Sequence, residues 1–231
     1  MENLSRRVEY TGSWGKYMRE DIITNWLTDM GQVLTGSQLS KLAIYQKMVL
    51  NAPMNLTAIT NDDDFAIKHF IDSLTLLPWI DKSGESINCI DIGTGAGFPG
   101  IPIKIARPGL SITLLDSLLK RILFLRSVAE ELGLQDVECI HARAEDLAKQ
   151  KGEFYDMATA RAVAHLGKLA EYALPLVKPG GVFLAMKGPD VSSEIEEAKQ
   201  ALNKLGGVIE SVETMEISRG MGRSIVVIGK L

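Results

Sequence analysis

An acid followed by alternating glycines is the stretch of this chain best suited to hold a ligand. It reads Cys89-Ile90-Asp91-Ile92-Gly93-Thr94-Gly95-Ala96-Gly97-Phe98-Pro99-Gly100. Apolar residues before it predict a strand, and the residues after it predict a helix. A glycine turn between strand and helix tolerates positive φ and lets a ligand approach the backbone. Asp116 closes the next apolar run, 19 residues after Gly97. An acid there can accept hydrogen bonds from ribose hydroxyls. Two cofactors compete for such a loop. Gly95-x-Gly97-x-x-Gly100 fits the dinucleotide fingerprint, whereas Asp91-x-Gly93-x-Gly95-x-Gly97 fits the pattern for S-adenosylmethionine. A carboxylate beside a phosphate would repel it, but the cationic methionine part of S-adenosylmethionine gains from one. Asp91 therefore tilts the choice toward the methyl donor.

The acceptor side gives fewer signals. The fourth predicted strand ends Asp156-Met157-Ala158-Thr159-Ala160-Arg161-Ala162. The Asn/Asp-Pro-Pro-aromatic tetrapeptide of exocyclic-amine methyltransferases is absent there. Neither cysteine, Cys89 or Cys139, stands in a loop after a strand where a nucleophile would be needed. No catalytic side chain and no metal ligand set is expected. Guanine N7 suits such a site, because its lone pair needs no deprotonation and positioning can supply much of the rate. A positively charged segment offers an anion partner: Lys104, Arg107, Lys120, Arg121 and Arg126 face one acid, Asp116. Lys120 and Arg121 stand at a predicted helix start, where the dipole disfavours cations, and are expected to meet RNA phosphates.

The elements that must position these residues follow from periodicity. Helices are expected over Asp21 to Met30, Ser37 to Leu50 with Ser37 as N-cap, and from the acid-rich Asn61-Asp62-Asp63-Asp64 to about Trp79. Residues 1–80 thus read as a helical cap, with a loose first ~20 residues, and 81–231 as a methyltransferase core. In the core, strands at Ile87–Ile92, Ser111–Leu115, Val137–Ile140, Tyr155–Ala160 and Val182–Met186 mostly alternate with helices, which predicts a parallel sheet covered on both faces. Val208–Ile217 and Ser224–Lys230 are joined through Ser218-Arg219-Gly220-Met221-Gly222, a loop too short for a parallel crossover. The expected fold class is α/β: a Rossmann-like, mostly parallel sheet with an antiparallel C-terminal strand, plus the helical cap.

Composition narrows the setting. The chain has 231 residues, 46% of them apolar, which suits one α/β domain with a small extension. No apolar run reaches the roughly 18 residues needed to span a bilayer, and no apolar stretch follows Arg6-Arg7 as a secretory signal requires. Two cysteines build neither a disulfide framework nor a zinc site, and buried thiols fit a reducing cytoplasm. The net charge of −4 argues weakly against a nucleic-acid partner, but seven acids between Asp190 and Glu216 leave room for a basic face elsewhere. A nicotinamide-dependent reductase lacks a Tyr-x-x-x-Lys proton donor here. A purely RNA-binding module would not need Asp91, the glycines and Asp116 together.

Several stretches resemble the RsmG (GidB) family, the guanine-N7 methyltransferases of bacterial 16S ribosomal RNA. They are Asn55-Leu56-Thr57-Ala58-Ile59, His69-Phe70-Ile71-Asp72-Ser73-Leu74, Asp91 to Pro102, Asp116-Ser117 with Lys120-Arg121, Ala144-Glu145, Arg161-Ala162 and Met186-Lys187-Gly188. Together they span about residues 45 to 188 in the family's order. The resemblance implies a guanine in the decoding-region loop of 16S RNA as target, S-adenosylmethionine as donor, and no membrane. The implied partner is 16S ribosomal RNA or an assembling small subunit, met by a cytoplasmic monomer. By motif, cofactor contacts fall on Gly93, Phe98, Ala144, Glu145 and Arg161, beside Asp91, Gly95, Gly97 and Asp116 from the loop pattern. Phe98 and Ala96 stand where the family often has leucine and proline. Lys120, Arg121, Lys187 and Asn55 are the candidate substrate contacts, and His69 is expected to be a hydrogen-bonded structural histidine.

Overall fold

The computed structural model describes residues 18–84, 87–161 and 164–231. Residues 1–17, which hold most of the expected loose start, and Ala162 lie outside the described residues. Helix α1 (Glu20–Asp29) is followed by α2 (Gly36–Leu50) and by a helical run made of α3 (Asp62–Phe65), π-helical Ala66–Ile71 and α4 (Asp72–Leu74). Then come α5 (Leu77–Ser83), β1 (Asn88–Ile92), α6 (Gly100–Ala106), β2 (Ser111–Asp116), α7 (Leu119–Glu131) and β3 (Val137–His141). The second half holds α8 (Ala144–Lys151), β4 (Tyr155–Arg161), α9 (Leu166–Ala173), β5 (Val177–Lys187), α10 (Ser192–Lys204), β6 (Gly207–Ser218) and β7 (Met221–Lys230).

The seven strands form one sheet in the order β3-β2-β1-β4-β5-β7-β6. The pairs through β5 are parallel, and β7 runs antiparallel to both β5 and β6. Strand order reverses beside β1, so the crevice outside the carboxyl ends of β1, β2 and β4 is where such sheets bind ligands. One face of the sheet shares its apolar core with α6, α7 and the N-terminal helices, including Leu42, Tyr45, Phe65 and Phe70. The other face packs Leu147, Leu166, Leu169, Ala198 and Leu202 from α8, α9 and α10.

Local chemistry fixes the N-terminal helices against this core. Thr35, not Ser37, caps α2: its hydroxyl accepts from Gln38 N–H, and the Gln38 side chain accepts from Thr35 N–H at 2.7 Å. Such a reciprocal pair satisfies two otherwise orphaned donors. The Gln38 amide also donates to the carbonyls of Ile105 and Ala106, tying the start of α2 to the end of α6. Asn61 caps α3, whose first turn carries Asp62, Asp63 and Asp64. The expected single helix to Trp79 is instead interrupted after Leu74 and restarts with Pro78 in the first turn of α5. Helix α8 escaped the periodicity reading because Leu147 is its only large apolar residue; Ala144 and Leu147 are the residues it buries.

Candidate functional site

The glycine turn is held by its own backbone. Gly93 and Thr94 N–H groups donate to the Leu115 carbonyl at 2.8 and 3.0 Å, fastening the turn to the end of β2. Gly93, Gly95 and Gly97 all have positive φ, at 68°, 62° and 110°. Their surroundings differ. A Cβ on Gly97 would meet Ile101, Tyr45 and Leu125 side-chain atoms at 2.7–2.8 Å, whereas one on Gly95 meets nothing nearer than the Gly93 carbonyl at 4.0 Å. Gly97 is thus demanded by packing against α2, α6 and α7, and Gly95 keeps the side toward a ligand open. The Tyr45 hydroxyl donates to the Ala96 carbonyl at 2.7 Å and ties the turn to α2.

Asp91 acts inside this turn. It is fully buried, and one carboxylate oxygen accepts from the Thr94 hydroxyl at 2.6 Å and Gly100 N–H at 2.9 Å. The other oxygen is buried with no hydrogen-bond partner among the described residues. Burial raises the Asp91 carboxyl pKa to about 6, against the downward pull of those two hydrogen bonds. The carboxylate expected to face the donor's cationic end is therefore enclosed, and its direct partners are the turn and the start of α6. Gly100 is required there, since a Cβ would stand 2.9 Å from the same oxygen.

Asp116 closes β2 with its side chain 3% exposed. One oxygen accepts from Leu118 N–H at 2.8 Å; the other accepts from Gly95 N–H at 3.0 Å and Arg121 at 3.1 Å. Beside it lies a cavity of about 260 Å³ lined by Ile92, Gly93, Leu115, Asp116, Ser117, Ala142, Arg143, Ala144, Glu145 and Tyr172. Four residues chosen from sequence, Gly93, Asp116, Ala144 and Glu145, thus meet at the carboxyl ends of β1, β2 and β3. Tyr172, Arg143 and Ser117 were missed. Ser117 neighbours Asp116 and was within reach of the motif, but Tyr172 comes from α9 and no sequence spacing announces it.

A second cluster sits at the end of β4. Arg161 donates to the Lys68 carbonyl at 2.9 Å and to Asp72 at 3.0 Å, and its other terminal nitrogen approaches His69 Nδ1 at 3.3 Å. Asp72, 1% exposed, also accepts from Arg223 Nε, so one buried carboxylate holds two guanidinium groups. A guanidinium can only donate, so His69 Nδ1 accepts and Nε2–H faces the Thr57 hydroxyl at 2.8 Å. His69 is neutral: burial, helped by the nearby Arg161 charge, lowers its pKa to about 3. Its ring stacks on Phe98 at 4.3 Å with 10° between planes, and Arg161 lies 5.1 Å from the Phe98 ring centre. Phe98 is 4% exposed and packs with Tyr45, Phe65 and Phe70. It anchors the glycine turn to the helical layer. His69 and its neighbours 66–71 are π-helical, a form that often marks functional sites.

The basic segment divides. Lys104 is fully buried and donates to the carbonyls of Pro108 and Leu110, with burial lowering its pKa. Arg107 pairs with Asp81 and Gln32. Both lie at the end of α6, near the amino end of β2, and so leave the expected basic face. Lys120 is exposed at the start of α7, and Arg126 donates to the Cys139 carbonyl at 3.1 Å beside edge strand β3. Asn55 is exposed in the loop before Thr57. Lys187 is 8% exposed; its ammonium binds the Ala164 carbonyl at 2.9 Å and Glu194 at 2.6 Å. Since Glu194 also accepts from Leu166 N–H at the start of α9, Lys187 serves to fix that helix, and its ammonium is already committed. Cys89 and Cys139 lie within β1 and β3, and burial pushes both thiol pKa values up, that of Cys139 to about 11. No group of His, Cys, Asp and Glu suited to a metal ion occurs among the described residues, and none of their helices is long and apolar enough to cross a membrane.

Residues 38–223 match the family model described as "rRNA small subunit methyltransferase G". The ribosomal RNA small subunit methyltransferase G of Clostridium botulinum (strain Alaska E43) is 44% identical over 216 residues, covering 91% of this chain and 90% of that protein. Its counterpart in Alkaliphilus metalliredigens is 43% identical over 217 residues, with the same coverage. Among solved structures, TrmN from Thermus thermophilus superposes with a TM-score of 0.55 at 22% identity, over 69% of this chain and 48% of that one. Precorrin-6y C5,15-methyltransferase from Geobacter metallireducens gives a TM-score of 0.50 at 16% identity, over 77% and 91%. These two likenesses concern the fold alone.

Proposed function

The chain belongs to the rRNA small subunit methyltransferase G (GidB) family, and on that premise we propose that it transfers a methyl group from S-adenosylmethionine to guanine N7 in the decoding-region loop of 16S ribosomal RNA. The observation that carries the reading is the cavity at the ends of β1, β2 and β3, where Gly93, Asp116, Ala144 and Glu145 meet beside an open Gly95. A nearly buried acid at the end of β2 suits ribose hydroxyls, and a cavity of about 260 Å³ suits the adenosine end of the donor. When bound, the donor supplies an electrophilic sulfonium methyl.

The chain's own residues then have three tasks. Gly95 and Leu118 N–H groups aim the Asp116 carboxylate, and Asp91 holds the turn's shape through Thr94 and Gly100. Asp72, Arg161 and His69 fix the end of β4, the flank on which the acceptor base would lie. No side chain has to remove a proton, because N7 is unprotonated near neutral pH. His69 fits that absence: it is neutral, and both its ring nitrogens are engaged, with Arg161 and Thr57. We place the protein in the cytoplasm as a monomer acting on 16S RNA or an assembling small subunit. Incubation with labelled S-adenosylmethionine and 16S RNA from a strain lacking this enzyme tests the reading. Label should enter that RNA and not RNA already carrying the modification; label in neither would refute it.

A further inference from the structure

The outward face of α7 carries leucines where solvent should favour polar side chains. Leu118, Leu119 and Leu123 are 42%, 49% and 54% exposed, while Ile122 and Leu125 supply the buried face. Leu119 and Leu123 are four residues apart and adjoin on one helix face. Contiguous exposed apolar surface of this kind marks an interaction site. Cations frame it. Lys120 has no carboxylate partner among the described residues, and Arg126 has only its bond to the Cys139 carbonyl. From Leu119 to Ala129, α7 carries no acid. The face begins directly beside the donor cavity, since Ser117 lines that cavity and Leu118 N–H is held by Asp116.

We propose that Leu118, Leu119 and Leu123 form an apolar ledge that seats an unstacked RNA base next to the target nucleotide, with Lys120 and Arg126 taking the flanking phosphates. The inference rests on the reading as an RNA methyltransferase. The target guanine lies in a loop, where bases can be splayed out, and enzymes that do chemistry on a base take it out of its stack. Its departure exposes the face of a neighbouring base. Leucines are among the side chains that wedge against such faces, and neighbouring cations hold the backbone. The positive frame favours RNA over an apolar protein helix as occupant.

The test uses the full-length protein with saturating S-adenosylhomocysteine and an unmodified 16S RNA fragment bearing the target loop. Binding is measured from low to moderate salt for wild type, the double variant Leu119→Ser/Leu123→Ser, and Lys120→Ala. Both leucines are half exposed, so thermal denaturation should show a folded double variant. Its RNA affinity should fall at least 5-fold with an unchanged slope of log affinity against log salt. Lys120→Ala should instead flatten the slope by roughly 0.7–0.9. Affinity for S-adenosylhomocysteine should stay at the wild-type level in both. Wild-type RNA affinity in the double variant would overturn the ledge while leaving the enzymatic reading intact. Normal methylation of naked RNA but loss on assembled subunits would assign the ledge to a protein partner and overturn it too. Failure of the wild type to bind RNA would remove the underlying reading itself.

Discussion

Adding one methyl group at Gly97 and at Gly95 should have unequal effects on stability. At Gly97 the new Cβ would stand 2.7 Å from Ile101 and Tyr45 atoms and 2.8 Å from a Leu125 atom, at φ +110°. All three neighbours are fully buried and come from three different helices, so none can swing away. Overpacking of this kind costs about 1–3 kcal/mol, and the left-handed backbone adds about 1–2 kcal/mol. A combined loss of about 3 kcal/mol lowers the melting temperature of a chain this size by roughly 6–12 °C. At Gly95 the space is open and only the backbone term applies, about 1 kcal/mol or roughly 2–4 °C. Donor binding inverts the order of the two sites. Gly95→Val projects toward the ligand side and should weaken S-adenosylmethionine binding at least ~10-fold, or ~1.4 kcal/mol, by titration calorimetry. Equal melting losses for the two alanine variants would refute the division of roles. So would wild-type donor affinity in a folded Gly95→Val protein.

Three further outcomes test the site. His69, with its pKa lowered by burial, binds fewer protons when folded; its stabilising contribution is complete above its ordinary pKa of 6.5 and is lost as pH falls toward about 3. His69→Gln should therefore reduce the loss of stability on acidification below pH 6.5, followed by denaturant titration, and single-turnover methyl transfer should stay nearly flat from about pH 6.5 to 8.5 in both proteins. Asp72→Asn leaves Arg161 and Arg223 without their shared buried carboxylate and should cost about 3–5 kcal/mol in urea unfolding; a loss below about 1 kcal/mol would show that the pair is held by other contacts. Tyr172→Ala should raise the donor KM several-fold with little change in kcat, whereas Tyr172→Phe should behave as wild type, because the ring as a wall of the cavity is what matters; unchanged kinetics in the alanine variant would remove Tyr172 from the site.

Much of this architecture was legible because it is written in local patterns. Alternating β and α segments and a short final connection gave the mostly parallel sheet with its antiparallel end, and the spacing from Gly93 to Asp116 gave one wall of the cavity. What stayed hidden depends on contacts between distant segments. Lys104 reads as a surface cation until α6 turns it onto the carbonyls of Pro108 and Leu110. Lys187 reads as an RNA contact until Glu194, seven residues later, captures it. Asp91 reads as a ligand for a cation, yet the fold encloses it beneath Thr94 and Gly100. Arg223 and Tyr172 stand in no motif, and Asp72 stands in a matched stretch that says nothing of its two arginine partners. Their roles appear only when β7, α4 and α9 are brought against the ends of β4 and β2.

The central claim is transfer to N7 of a single guanine. Methylation at N7 places positive charge on the imidazole ring, so borohydride reduction followed by aniline cleaves the RNA chain at that nucleotide. Unmodified 16S RNA treated with this protein and S-adenosylmethionine should yield one new cleavage site, at a guanine in the decoding-region loop, and none when the donor is omitted. Methyl incorporation without any such cleavage would place the group on another atom and contradict the account.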